Sequence, residues 1–117
     1  MAKYPERIEV AAGDRRITYV LQADAGEPVY EVTGGGIASA SGRVWIRFAS
    51  EMDARERAED LAQAGYTIDD VPGHAPNAAY VRAADTAASL EGLDRLRALS
   101  GVEHVEPEML RTRTFRE

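Results

Sequence analysis

An α+β fold is predicted, and three observations predict it. The apolar period switches between 2 and 3.6 along residues 43–107, which read in order as strand, helix, strand, strand, helix, strand. Residues 1–42 carry only strand-type patterns and end in a glycine-rich stretch, Gly34 to Gly42. The composition, 44% hydrophobic and 29% charged over 117 residues, is that of one globular domain with an appendage.

Arg7-Ile8-Glu9-Val10-Ala11 alternates polar and apolar, and a turn at 12–15 leads to Arg16-Ile17-Thr18-Tyr19-Val20-Leu21, so a hairpin is expected. Val29 to Thr33 is a third short strand. The small residues from Gly34 to Gly42 are expected to form a linker or mobile loop, with a boundary between a 1–42 extension and a 43–107 domain. Val44, Ile46 and Phe48 share one face of the next strand. Ser50 is placed as the N-cap of a helix over 51–64, with Ala54, Ala58, Leu61 and Ala62 as its apolar stripe and Gly65 as its stop. Strands at 66–71 and 77–83 follow. A second helix over 86–99 buries Leu90, Leu93, Leu96 and Leu99, and Val102 to Pro107 is the last strand. The expected core is Val44, Ile46, Phe48, Leu61, Val81, Leu90, Leu93, Leu96 and Val102. This order defines a ferredoxin-like β-α-β-β-α-β sandwich, here with an N-terminal β-hairpin extension, 1–42, and an extended C-terminal tail, 108–117. Pro107 is expected to end the strand and release that tail.

Composition also narrows function. The net charge is -6, and basic residues concentrate only in the tail, at Arg111, Arg113 and Arg116, so a nucleic-acid partner is not expected. No apolar run approaches the roughly 20 residues that span a bilayer, so no membrane partner is expected either. The first residues lack the apolar segment of a secretory signal; a cytoplasmic location is expected, or a secreted one if a leader has been removed. There is no cysteine, which excludes disulfides and thiol chemistry.

The chemistry-bearing residues are few. His74 lies in a Pro-Gly-His-Ala-Pro loop and reads as a solvated turn residue. His104 alternates with Glu103 and Glu106 on a strand, where Glu106 is its one same-face neighbour, too few ligands for a metal. Gly34-Gly35-Gly36 lacks the Lys-Ser/Thr ending of a phosphate loop. Asp69-Asp70 and Glu59-Asp60 read as solvated faces. No enzyme activity, metal or cofactor is expected. If Val44, Ile46 and Phe48 face the helices, alternation sends Trp45 to the opposite face, with Tyr80 and His104 near it. A patch of that kind is a binding surface, or is covered by residues 4–33 or a second subunit.

Several stretches between 43 and 110 resemble the propeptide domain of subtilisin-type serine proteases, a family of intramolecular chaperones and inhibitors. They are Val44-Trp45-Ile46-Arg47-Phe48, the Ala-rich helix ending at Ala64-Gly65, Asn77 to Ala83, and Leu93 to Pro107 with its Gly-Val-Glu-His-Val-Glu-Pro ending. The resemblance implies that the sheet face opposite the helices packs on the protease. It also implies that the segment after the last strand, Glu108-Met109-Leu110-Arg111-Thr112-Arg113, enters the substrate cleft, and that Glu103, Glu106 and Glu108 cap protease helices. The implied protease-binding set is Trp45, Tyr80, Glu103, His104, Glu106, Glu108, Met109, Leu110 and Arg111.

The expected function is a protein-binding module, an inhibitor or folding chaperone of a subtilisin-type protease in cis or in trans. The alternative is a ferredoxin-like interaction or oligomerisation domain, with a homo-oligomer as its assembly and no protease partner.

Overall fold

The computed structural model describes residues 4–12, 15–23 and 28–112, and for 12, 15, 23, 111 and 112 the backbone alone. The elements in order are β1 (Arg7–Ala12), β2 (Arg15–Ala23), β3 (Val29–Val32), β4 (Ile37–Phe48), a 3₁₀ turn (Ala54–Arg57), α1 (Ala58–Gln63), β5 (Thr67–Asp70), β6 (Ala78–Arg82), α2 (Thr86–Glu91), α3 (Leu93–Arg97) and β7 (Val102–Thr112).

Among the described residues, all seven strands belong to one antiparallel sheet, and β4 is its spine. Along one edge of β4, β3 pairs with residues 37–39 and β6 with residues 43–47. Along the other edge β7 follows nearly the whole strand. Ala40 is opposite Met109 and Val44 opposite Pro107, so β4 holds two more residues than β7 across Ser41-Gly42-Arg43. Such a bulge bends a strand and steepens its twist. Gly42 sits at the bend with φ +96°, and a Cβ there would lie 3.0 Å from Thr86 Oγ1, so α2 starts directly against the spine.

The expected ferredoxin-like sandwich with a separate extension is therefore corrected. The described residues are mostly antiparallel strand, and the sheet curls into a half-barrel with a few short helices. The glycine-rich stretch misled because its small residues do alternate. Ala38, Ala40 and Gly42 are buried and Ile37, Ser39 and Ser41 are not, a pattern that runs without a break into Val44, Ile46 and Phe48. Only Gly34, Gly35 and Gly36 turn, each with positive φ, and the turn is closed by Gly35 N–H to Val32 O and Val32 N–H to Gly36 O. Position 43, expected to open a domain, lies inside β4.

Both expected helices are broken. Asp53, not Ser50, caps the first segment by accepting from Arg55 N–H. Arg57, at φ -103° and ψ 15°, divides the 3₁₀ turn from α1. Leu61 and Ala54 are buried, but Ala58 and Ala62 are exposed. The second helix breaks at Gly92, where a Cβ would stand 2.5 Å from the Tyr66 hydroxyl. That hydroxyl, buried, donates to Ser89 O at 2.5 Å, and Ser89 Oγ in turn accepts from Ala83 N–H at 2.9 Å.

The tail expectation is corrected as well. β7 continues past Pro107 to Thr112, and residues 109–112 pair with residues 37–40. Even-numbered residues of β4 bond to β6, as Phe48 N–H does to Asn77 O, so the odd-numbered ones bond to β7. Pro107, opposite Val44, therefore faces the open edge with its missing N–H, where a proline is tolerated.

The inner face carries one continuous core. Val44, Ile46, Phe48, Val81 and Val105 pack with Leu61, Leu90, Leu93 and Leu96, and Ile8, Val10, Tyr19, Tyr30 and Val32 join the same cluster. Val102, expected to be buried, is only partly so, because it begins β7 where the register shifts opposite Phe48. The N-terminal strands thus extend the sheet and share its core. No helix among the described residues is long and apolar enough to cross a membrane.

Candidate protein-binding face

Strand alternation gives the face opposite the helices its side chains. Trp45 lies between Val44 and Ile46, both fully buried, and so points away from them. Its register partners are Tyr80 on β6 and Glu106 on β7, which sets Tyr80, Trp45 and Glu106 in one row across three strands. The two rings meet edge to face, centroids 4.9 Å apart at 60°, a favoured aromatic arrangement. Both are half-buried.

The neighbouring row is ionic. Arg43 lays its guanidinium over the Tyr80 ring, 3.9 Å from the centroid. Its Nε is 3.5 Å from Asp69 and 3.8 Å from Glu108, too long for good hydrogen bonds, and that buried N–H has no hydrogen-bond partner. Ser41 donates to Glu108 at 2.6 Å and accepts from Arg43 N–H at 3.1 Å. On the other side of Trp45, His104 Nε2 is 2.8 Å from Glu106, and Arg47 is 3.7 Å from Glu103.

A cleft of about 420 Å³ opens beside the aromatic pair, lined by Ile17, Tyr19, Trp45, Tyr80 and the run Glu106 to Met109. A larger one, about 800 Å³, lies between β1, the α2–α3 segment and the start of β7. Much of its charge is already paired: Glu9 with Arg7 and Arg16, Asp94 with Arg97.

Of the residues expected to bind a protease, the structure gathers Trp45, Tyr80, His104, Glu106, Glu108 and Met109 around one face and cleft. Glu103 lies at the end of that face beside Arg47. Leu110 is 54% exposed, further along β7 opposite Ser39, and away from the cleft. Arg111 pairs through its backbone with Ala38, and its side chain lies outside the described residues, as does Arg113. Sequence reasoning missed Arg43, Ser41, Asp69 and Arg82, although the parity that exposes Trp45 and Tyr80 places Arg43 and Arg82 on the same face. It also missed Ile17 and Tyr19, whose approach depends on the curl of the whole sheet.

Among the described residues no three metal-ligating side chains come together, and no hydroxyl hydrogen-bonds to His104. His74 is exposed in its loop. The tyrosines with displaced titration, Tyr30 and Tyr66, are core residues; burial pushes both up to about 12. Comparison with known proteins finds no family model, no curated protein and no solved structure that matches the chain.

Proposed function

We propose that this chain is a protein-binding module whose contact surface is the sheet face opposite its helices, with Trp45 and Tyr80 as anchors. The observation that carries this reading is the aromatic pair itself: two large rings, packed edge to face on the outer side of the sheet, next to an open cleft. Aromatic side chains with a polar or charged surround are the groups that dominate binding energy at protein interfaces. The proposed partner is the one the resemblance implies, a subtilisin-type serine protease, with Glu106 and Glu108 beside the anchors as acidic contacts. Residues 108–112 are a strand of the sheet, so the mode favoured is docking through the face rather than insertion of those residues as a free arm.

A second reading has its own observation. β1, β5 and β7 each leave one edge without a strand partner among the described residues. Unpaired edges support strand addition, and hence assembly with another chain and no protease.

Surface plasmon resonance against a subtilisin-type protease tests the first reading. Wild-type protein is expected to bind, and the double variant Trp45→Ala/Tyr80→Ser to bind at least tenfold more weakly, about 1.4 kcal/mol, while its far-ultraviolet circular dichroism stays unchanged. Equal binding by both removes the face from the interface. Concentration-dependent dimerisation without protease binding favours the second reading.

A further inference from the structure

We propose that the cleft beside Trp45 receives an arginine side chain carried by the partner's bound segment, a specification that rests on the protein-binding reading above. The cleft is lined by aromatic and apolar side chains, among them Trp45, Tyr80 and Met109, together with two carboxylates, Glu106 and Glu108. A cleft that combines aromatic side chains with carboxylates suits a long side chain with a cationic head, whose stem packs on the rings while the head meets the carboxylates.

The charge of these two carboxylates is only partly offset. Glu106 meets His104, which carries charge only when protonated, and Glu108 meets the neutral Ser41 hydroxyl and the more distant Arg43. The net charge of the chain, -6, draws a basic segment towards it at long range.

Arginine is favoured over lysine by geometry. A planar guanidinium stacks on rings and offers paired donors to carboxylates, whereas an ammonium is a compact, strongly hydrated point charge. The molecule already shows the contact once: Arg43 stacks on Tyr80 at 3.9 Å. The cleft, about 420 Å³, has room for such a side chain.

Trp45 is the single tryptophan of the chain and lines the cleft, so its indole N–H resonance reports occupancy. The full chain is titrated with N-acetylarginine methylamide to millimolar concentrations, and separately with the norleucine analogue. The arginine compound is expected to shift the indole resonance saturably. The norleucine compound should be at least tenfold weaker, and so should the arginine compound on the double variant Glu106→Gln/Glu108→Gln, whose amide spectrum otherwise matches the wild type. Equal responses to arginine and norleucine overturn the proposal and leave an apolar binding face. No response to arginine, in a protein whose Trp45 resonance does respond to a bound protease, overturns the proposal while the protein-binding reading stands. An indole shift that depends on protein concentration alone makes a second copy the occupant, which also overturns it. Failure of the protein-binding reading shows separately, as loss of protease binding altogether.

Discussion

Arg43 and Arg82 stand directly opposite each other across the β4–β6 ladder, and Asp69 faces both, with Oδ2 3.5 Å from the Arg43 Nε and Oδ1 3.5 Å from the Arg82 Nε. Like charges opposed in this way repel. The β5–β6 register shifts between Ile68 and Asp70, which makes Asp69 the bulged residue of β5. One acidic side chain is thereby placed between the two guanidinium groups, beside the Tyr80 ring that Arg43 covers, at the edge of the aromatic face.

Replacing that carboxylate should disturb the face more than the fold. Asp69→Ala is expected to cost about 1 kcal/mol or less, as for partly exposed ion pairs, and to change the emission of Trp45 as Arg43 leaves the Tyr80 ring. In an Arg82→Gln background the same substitution should cost less, because the opposed charge is gone. A double-mutant cycle by urea denaturation with zero coupling would show that Asp69 does not offset the Arg43–Arg82 repulsion.

The bend in β4 depends on Gly42. Any other residue must adopt a left-handed backbone there, at about 1–2 kcal/mol, and must also press a Cβ against Thr86. Gly42→Ala should therefore lower stability by more than Gly34→Ala, where φ is similarly positive but the space is open. Equal denaturation midpoints for the two variants would mean that α2 is free to yield.

Residues 108–112 are load-sharing members of the sheet. Deleting 108–117 removes the pairing opposite Ile37 to Ala40 and the packing of Met109, and is expected to cost about 2–5 kcal/mol, the scale of losing a large buried side chain. A truncated protein with an unchanged urea midpoint would show that β7 ends at Pro107 after all.

The expectation of a free tail failed for a reason that sequence reading meets often. Proline ends central strands but not edge strands, and whether β7 is an edge is a property of the whole sheet. The stretch 34–42 failed differently: glycine, alanine and serine have low strand preference, so the alternation of Ala38 and Ala40 carried little weight beside three consecutive glycines. What was legible rested on strong periods. Val44, Ile46, Phe48, Leu61, Val81, Leu90, Leu93 and Leu96 are all buried as expected, and the same parity turned Trp45 and Tyr80 outward together. Tyr66 escaped notice because the partner of its buried hydroxyl, Ser89 O, lies 23 positions away, which no local pattern marks.

Tyr30 and Tyr66 tie stability to alkaline pH. Burial lifts each hydroxyl from 10.0 to about 12 in the folded protein. Below pH 10 both folded and unfolded chains hold the proton, so stability is full. Between about pH 10 and 12 the unfolded chain releases its protons first, and stability falls as pH rises. Tyr66→Phe, which also loses the bond to Ser89 O, should be less stable at pH 7 but show a shallower decline over that window. Parallel declines for the variant and the wild type would mean that Tyr66 titrates normally.

The contact face can be read most directly from amide and indole resonances of the full chain bound to a subtilisin-type protease. The expected shifts fall on residues 43–47, 78–82 and 104–109, with the Trp45 indole N–H among the largest, and leave Leu61, Leu93 and Leu96 on the helix side little changed. Shifts centred on α1, α2 and α3 with Trp45 unmoved, or no binding at any attainable concentration, would contradict a partner-binding role for the outer face of the sheet.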